Sequence, residues 1–172
     1  VFSHNLAHKC CKQAGIRSKA RKYTYKKPGE EHIAFPNEVQ GNWNATYPIE
    51  IVVSDMTIFK SNGRSWEWTL LVDTFNNEIL AHQATPIQGS TKPYYHCLEQ
   101  LKLLAGKKNE EQTPQVVLHT DQGSVYSSQA FRQAHEHYNI LRSMSRVGTP
   151  TDNAIIEAIN GWIKQELLLD FG

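Results

Sequence analysis

Apolar and β-branched residues fall into short blocks separated by polar, glycine- or proline-bearing stretches, and the period within each block predicts its element. Ile51-Val-Val-Ser-Asp-Met-Thr-Ile-Phe59 suits a buried strand. Residues 66–73 and 78–85 are also strand-like, and Asn76-Asn77 between them suits a tight turn because Asn tolerates left-handed backbone. Three sequential antiparallel strands are therefore expected. Pro93 then sits in the first turn of a helix that places Tyr94, Cys97, Leu98, Leu101 and Leu104 on one face, and Gly106 ends it. Residues 106–114 read as an exposed loop. Residues 116–119 form a short apolar strand leading into Thr120-Asp121, and a helix is expected near 127–138. Residues 140–144 suit another strand, and 146–151, with Gly148 and Pro150, a loop. The last helix starts near Asp152. In it Ile156, Ile159, Ile163 and Leu167 make an apolar stripe, beside a polar stripe of Asn153, Glu157, Asn160 and Lys164.

Three strands, helix, strand, helix, strand, helix implies an α/β layer fold, with helices packed against a mixed sheet. Ahead of it, residues 5–14 can form a short helix ended by Gly15. Residues 16–31 lose periodicity and finish in Lys-Lys-Pro-Gly-Glu-Glu, which reads as a linker. The chain is thus expected to divide into an arm and linker, 1–44, and a core, 45–172.

At 172 residues the chain suits one domain with a short appendage. No stretch approaches the roughly 18 consecutive apolar residues of a membrane span, and the first residues lack the pattern of an export signal. A cytoplasmic protein without membrane contact is expected. Cys10 and Cys11 are adjacent and poorly placed to bridge, and no Cys-x-x-Cys or finger-like His spacing suggests zinc. The net charge of +1 conceals an asymmetry: residues 1–29 carry eight Lys or Arg and no acid. These residues, Lys19, Arg21 and Lys22 among them, with Tyr23 and Tyr25 between, could neutralise phosphates in a salt-dependent way; a solvated basic tail is the alternative.

Asp55 within the first strand and Asp121 at the end of a short apolar strand stand where carboxylates stay reachable, and Gly123 lets the chain turn sharply after the second. Glu157 would approach from the last helix, bordering its buried face. Three converging carboxylates suit magnesium, a hard cation that keeps part of its shell for water and phosphate oxygens. Two such ions can activate a nucleophile and stabilise a leaving oxygen in phosphodiester chemistry. Alone the pattern is weak, since 17 acidic residues allow many triples. Asp73, also at a strand end, is better read as a turn-former.

The segment His119-Thr-Asp-Gln-Gly-Ser-Val-Tyr126 resembles the second-aspartate motif of retroviral integrases and of the IS-three family of insertion-sequence transposases. Val53-Ser-Asp-Met-Thr57 is similar to that family's first-aspartate motif. Ser143-Met-Ser-Arg-Val-Gly148 followed by Asp152-Asn-Ala-Ile-Ile-Glu157 resembles the approach to its glutamate, and Asp121 and Glu157 enclose 35 residues, the family's spacing. The resemblance covers residues 33–169. It implies a ribonuclease H-like fold with a mixed five-stranded sheet, three antiparallel strands followed by two parallel additions, and helices on both faces. It further implies that Asp55, Asp121 and Glu157 hold two Mg2+ or Mn2+ ions for DNA nicking and 3′-hydroxyl strand transfer, in a complex that is a homo-oligomer on DNA. Lys164, where the family carries a basic residue, and Asn160 would position DNA, and Arg146 is a further phosphate-contact candidate. His119, Ser124 and Tyr126 have structural explanations at least as good as functional ones. By the same resemblance, residues 1–44 look like the tail of a helix-turn-helix region and the core looks truncated at its C-terminus. A nuclease that only hydrolyses and a non-catalytic DNA-binding module are the rival readings.

Overall fold

The structure, a computed structural model, describes residues 4–16, 32–61, 63–108 and 114–171. The expected basic contacts Lys19, Arg21 and Lys22 lie outside the described residues. A short helix α1 (His4–Gln13) ends where Gly15 adopts φ +67°, and its described side chains are exposed.

The sheet holds β1 (Ile51–Ser61), β2 (Arg64–Asp73), β3 (Ile79–Thr85), β4 (Val116–Thr120) and β5 (Ile140–Met144), in the order β3-β2-β1-β4-β5. The β1/β2 and β2/β3 pairs are antiparallel, and β1/β4 and β4/β5 are parallel. β1 and β2 run further than their apolar cores predict, because a tight hairpin lets polar residues such as Lys60 and Ser65 keep pairing. Asn77 takes φ +59° in the β2/β3 turn, as its residue type allows. Asp73 is the turn-former expected: its carboxylate accepts from the Phe75 and Ile49 amides, both at 3.0 Å.

Strand alternation decides which residues meet which helix. Val52 faces α2 (Lys92–Ala105), in a core completed by Leu71, Leu98, Leu101, Leu118, Phe131 and Met144. Val53 faces the opposite way, packing with Leu70, Val72 and Ile156 of α4 (Ala154–Phe171), while Ile159, Ile163 and Trp43 close that second core. Helices therefore cover both sheet faces. Ile156 is fully buried, so Ile156→Ala should cost about 3 kcal/mol in urea unfolding. A loss under ~1 kcal/mol would mean that α4 is not seated as described.

Three expectations need correcting. The helix expected over 127–138 is only α3 (Gln129–Gln133), capped by Ser128, whose Oγ accepts from the Phe131 amide; the chain then leaves the helix in successive turns up to Tyr138. Leu104 is 45% exposed, and Ala105 instead completes the buried spacing of Cys97, Leu98 and Leu101. The last helix begins with a 3-10 turn, Pro150–Asn153, before α4 proper. In addition, packing starts upstream of the first strand: Phe35 and Trp43 join the two cores, and Pro36 O accepts from the Met144 amide at 3.2 Å.

Candidate active site

Asp55 lies two residues beyond Val53 on β1 and opposite Leu70, so its carboxylate emerges on the α4 face. On the parallel neighbour β4, His119 pairs with Val53 and Asp121 follows two residues later, just past the strand end. Adjacent parallel strands thus deliver two aspartates side by side. Glu157 comes from the first turn of α4, one residue after the Ile156 anchor. All three acids border one open cleft of about 390 Å³, whose remaining wall includes Gly123, Ser145, Asn153 and the loop residues Arg146 to Thr149.

The cleft penalises negative charge. Burial, then the neighbouring charge of Asp121, raises the Asp55 carboxyl to about 7, with Glu157 adding to the shift, while the Met56 amide and the Lys164 ammonium oppose it. Burial raises Asp121 too, against a hydrogen bond from the Gly123 amide to its Oδ1 at 2.9 Å. Asn160 Nδ2 donates to Asp55 Oδ2 at 3.1 Å, and neither aspartate makes an ion pair among the described residues. The acids border the cavity, and among the described residues no three His, Cys, Asp or Glu side chains are gathered tightly enough to hold one ion as they stand. The space equals roughly a dozen water volumes, ample for cations that retain part of their hydration. The donor set fits hard divalent cations, being all oxygen. Unpartnered acceptors stand beside it, since among the described residues the buried Oδ1 atoms of Asn153, in the cleft wall, and of Asn160, bonded to Asp55 through its Nδ2, have no hydrogen-bond partner.

Gly123 matters for a reason that sequence did not reveal. Its φ is not positive, so the sharp-turn explanation fails; instead a Cβ there would lie 2.8 Å from Asp121 Oδ1. Glycine is needed so that the Asp121 carboxylate can lie against the backbone. Asn153, placed by sequence only in a polar stripe, is 6% exposed and lines the cleft.

The other candidates are held by other partners. His119 is fully buried; its Nδ1 faces Ser143 Oγ at 2.8 Å, and its ring meets Trp43 edge-on at 5.2 Å. It is a packing hub below the cleft. Tyr126 is buried against Tyr94 and Phe131, with its hydroxyl 2.8 Å from Ser54 Oγ, and Ser124 is exposed on the following turn. Arg146 is engaged by Asp152 through Nε and Nη2, both at 2.9 Å. A larger concavity of about 600 Å³ is lined, among the described residues, by Phe59, Ser61, Arg64, Trp66 and Ala84, none of them an acid.

Arg142 was not anticipated. It is 4% exposed between the rings of Phe35 and Phe131, with its cationic carbon 4.9 and 5.1 Å from their centroids, and it donates to Thr120 Oγ1 and Tyr126 O. Burial lowers its pKa to about 10, against the opposing effect of Tyr126. The guanidinium braces the end of β4 just before Asp121.

Comparison with known proteins agrees with this arrangement. Residues 45–150 match the family described as integrase core domain. The chain is 35% identical over 139 residues to the putative transposase InsK for insertion sequence element IS150 of Escherichia coli K12, covering 80% of this chain and 47% of that protein. It is 28% identical over 158 residues to the transposase for insertion sequence element IS904 of Lactococcus lactis, covering 91% and 60% respectively. It thus spans about half the length of these curated relatives. Among solved structures, a chain of a simian T-cell lymphotropic virus intasome superposes with a TM-score of 0.62 at 23% identity, over 84% of this chain and 48% of that one. The HTLV-2 integrase catalytic core domain in complex with magnesium gives 0.53 at 23%, over 74% and 78%. The fold is therefore the ribonuclease H-like fold of retroviral integrase cores. The chain belongs to the integrase core domain family, with transposases of bacterial insertion sequences among its relatives.

Proposed function

We propose that the chain is the catalytic core of an insertion-sequence transposase, a polynucleotidyl transferase that nicks DNA at element ends and joins the freed 3′ hydroxyl to target DNA. The observation that carries this is the convergence of Asp55, Asp121 and Glu157, from two strands and a helix, on one cleft in which burial disfavours the charge of both aspartates. They would hold Mg2+ or Mn2+, two ions with substrate; the magnesium named with the HTLV-2 core supports the choice of metal. Bound there, such ions supply Lewis-acid activation of the attacking oxygen and neutralise charge on the phosphate.

The protein's own groups do the rest. Asn160 orients the Asp55 carboxylate through its amide, and the Gly123 amide fixes Asp121. Lys164, two turns beyond Glu157 on α4, supplies positive charge for a DNA phosphate, and Asn160 shares that positioning role. Residues 45–172 form the catalytic core, with 33–43 laid along it. The basic arm, including Lys19, Arg21 and Lys22, adds salt-dependent DNA affinity. The active complex is a homo-oligomer on DNA, supported by the dimeric form named for the HTLV-2 core.

The test is a strand-transfer assay. Full-length protein with labelled element ends, target DNA and magnesium should yield joined strands. Products confined to nicks would favour a hydrolytic nuclease, and no turnover with normal DNA binding would favour a non-catalytic module. A second expectation isolates the close packing at Gly123. Gly123→Ala should lower nicking by about tenfold or more by displacing Asp121, while the thermal midpoint changes little, since only a carboxylate tip must move. Unchanged nicking would show that the Asp121 rotamer is immaterial.

A further inference from the structure

The loop from Arg146 to Thr149 forms one wall of the cleft and leads through the 3-10 turn Pro150–Asn153 into the helix bearing Glu157. We propose that Asp152 is a positioning residue that latches this loop, and that Arg146 is the other half of the latch rather than a direct phosphate ligand. The proposal rests on the function just described and adds residues that act on its site without touching the reacting atoms.

The Asp152 side chain is only 3% exposed, and its carboxylate is heavily subscribed. Its Oδ2 accepts from the Arg146 amide at 3.0 Å, from Arg146 Nε at 2.9 Å and from Asn37 Nδ2 at 3.0 Å, and Oδ1 accepts from Arg146 Nη2 at 2.9 Å. The two-pronged contact uses the planar fork of arginine, which lysine lacks. Inside the ring so closed, the Thr149 amide donates to Arg146 O and the Asp152 amide to Thr149 O, and Gly148 takes φ +71° at the tip. Residues 146 and 152 are thus pinned together, with Ser145 and Asn153 flanking them in the cleft wall. Asn37 ties the latch to the upstream strap that carries Phe35 and Trp43 into the two cores.

A phosphate contact would need Arg146 to present its guanidinium to DNA, whereas here two of its N–H groups and its own amide converge on one buried carboxylate. The Arg146 side chain is otherwise 67% exposed, and ion pairs with an exposed member add little to global stability. Loss of the latch should therefore appear in turnover and loop order rather than in unfolding.

Full-length protein carrying Arg146→Lys, Asp152→Asn or Asn37→Ala is compared with wild type in magnesium-dependent nicking, in salt-dependent DNA binding and in limited trypsin digestion after Arg146. The latch predicts that Arg146→Lys and Asp152→Asn each lower kcat about 10- to 100-fold with KM for DNA nearly unchanged. The slope of affinity against salt should stay as in wild type, and the double variant should be no worse than the poorer single one. Asn37→Ala should give a milder kcat loss, and Asp152→Asn should accelerate cleavage after Arg146. Wild-type turnover and trypsin resistance in Asp152→Asn would overturn the proposal. So would an Arg146→Lys variant with full activity alongside an Arg146→Ala variant whose salt slope drops by about one, as for a lost phosphate contact. If Asp152→Asn does not fold, the Arg146→Lys and Asn37→Ala variants, which leave Asp152 in place, decide by the same kcat and trypsin readouts. If wild type itself fails to nick DNA, the functional proposal falls, while the trypsin comparison still decides the latch.

Discussion

Asp121→Asn should lower strand nicking and joining by at least on the order of a thousandfold while leaving DNA affinity within a few fold. The substitution keeps the size of the side chain and an acceptor for the Gly123 amide, so the local fold should survive. What it removes is a charge at the centre of a cleft whose proposed work is to hold divalent cations against a phosphate. A generic role for Asp121 in capping the turn would predict the reverse pattern, a modest stability loss with normal turnover. Rates of nicking and joining on labelled duplex, measured beside equilibrium binding of the same duplex, separate the two.

Asp55→Asn should abolish activity to a similar degree and yet make the metal-free protein more stable at neutral pH. The folded state holds Asp55 near 7, against an ordinary value near 3.8, because burial and the adjacent acids penalise its charge. Between those values the unfolded chain releases the proton and the folded protein keeps it, so the contribution of Asp55 to folding stability falls as pH rises from about 4 to 7 and levels off above. Asp55 is only partly buried, so the effect is discounted to about 2 kcal/mol, or ~4–8 °C in thermal midpoint for a domain of this size. The Asp55→Asn variant should lack this decline, and its midpoint at pH 8 should exceed that of wild type without magnesium. Asp152 acts weakly, because its partner Arg146 is exposed, and with the opposite sign at lower pH. Its hydrogen bonds from Arg146 hold its carboxyl well below the ordinary range, so its contribution is present above about pH 4 and is lost on further acidification. Burial lowers the pKa of His119 and His135, which adds a rise over part of the same range, so the comparison is between proteins: a midpoint difference between Asp55→Asn and wild type that does not grow from pH 5 to pH 8 would contradict the assigned environment of Asp55.

Much of this arrangement was legible in the sequence, because it depends on local pattern. The apolar run around Ile51–Val53 specifies a buried strand, the period-two rule aims Asp55 at one sheet face, and the stripe through Ile156, Ile159 and Ile163 turns α4 so that Glu157 borders the cleft. The illegible features depend on contacts that residue type and period do not specify. Arg142 looks like a surface charge in the sequence and becomes buried only because Phe35, more than a hundred residues earlier, stacks on it opposite Phe131. Leu104 and Ala105 exchanged the expected roles because the buried stripe of α2 follows Cys97, Leu98 and Leu101 to Ala105, a rotation finer than apolar spacing specifies. Nothing in the sequence marks Asp152 as the partner of Arg146, or shows that the Asp121 carboxylate lies against Gly123. In each case residue type was informative, and the missing information was which group, near or far in the chain, stands beside it.

The most direct measurement is manganese binding, followed by electron paramagnetic resonance on wild type and on the Asp55→Asn, Asp121→Asn and Glu157→Gln variants, each with a DNA end bound. If these acids grip cations jointly, wild type should bind manganese and each single substitution should weaken that binding at least about tenfold. Wild-type affinity in the Glu157→Gln protein, or no binding by wild type with DNA present, would contradict the account.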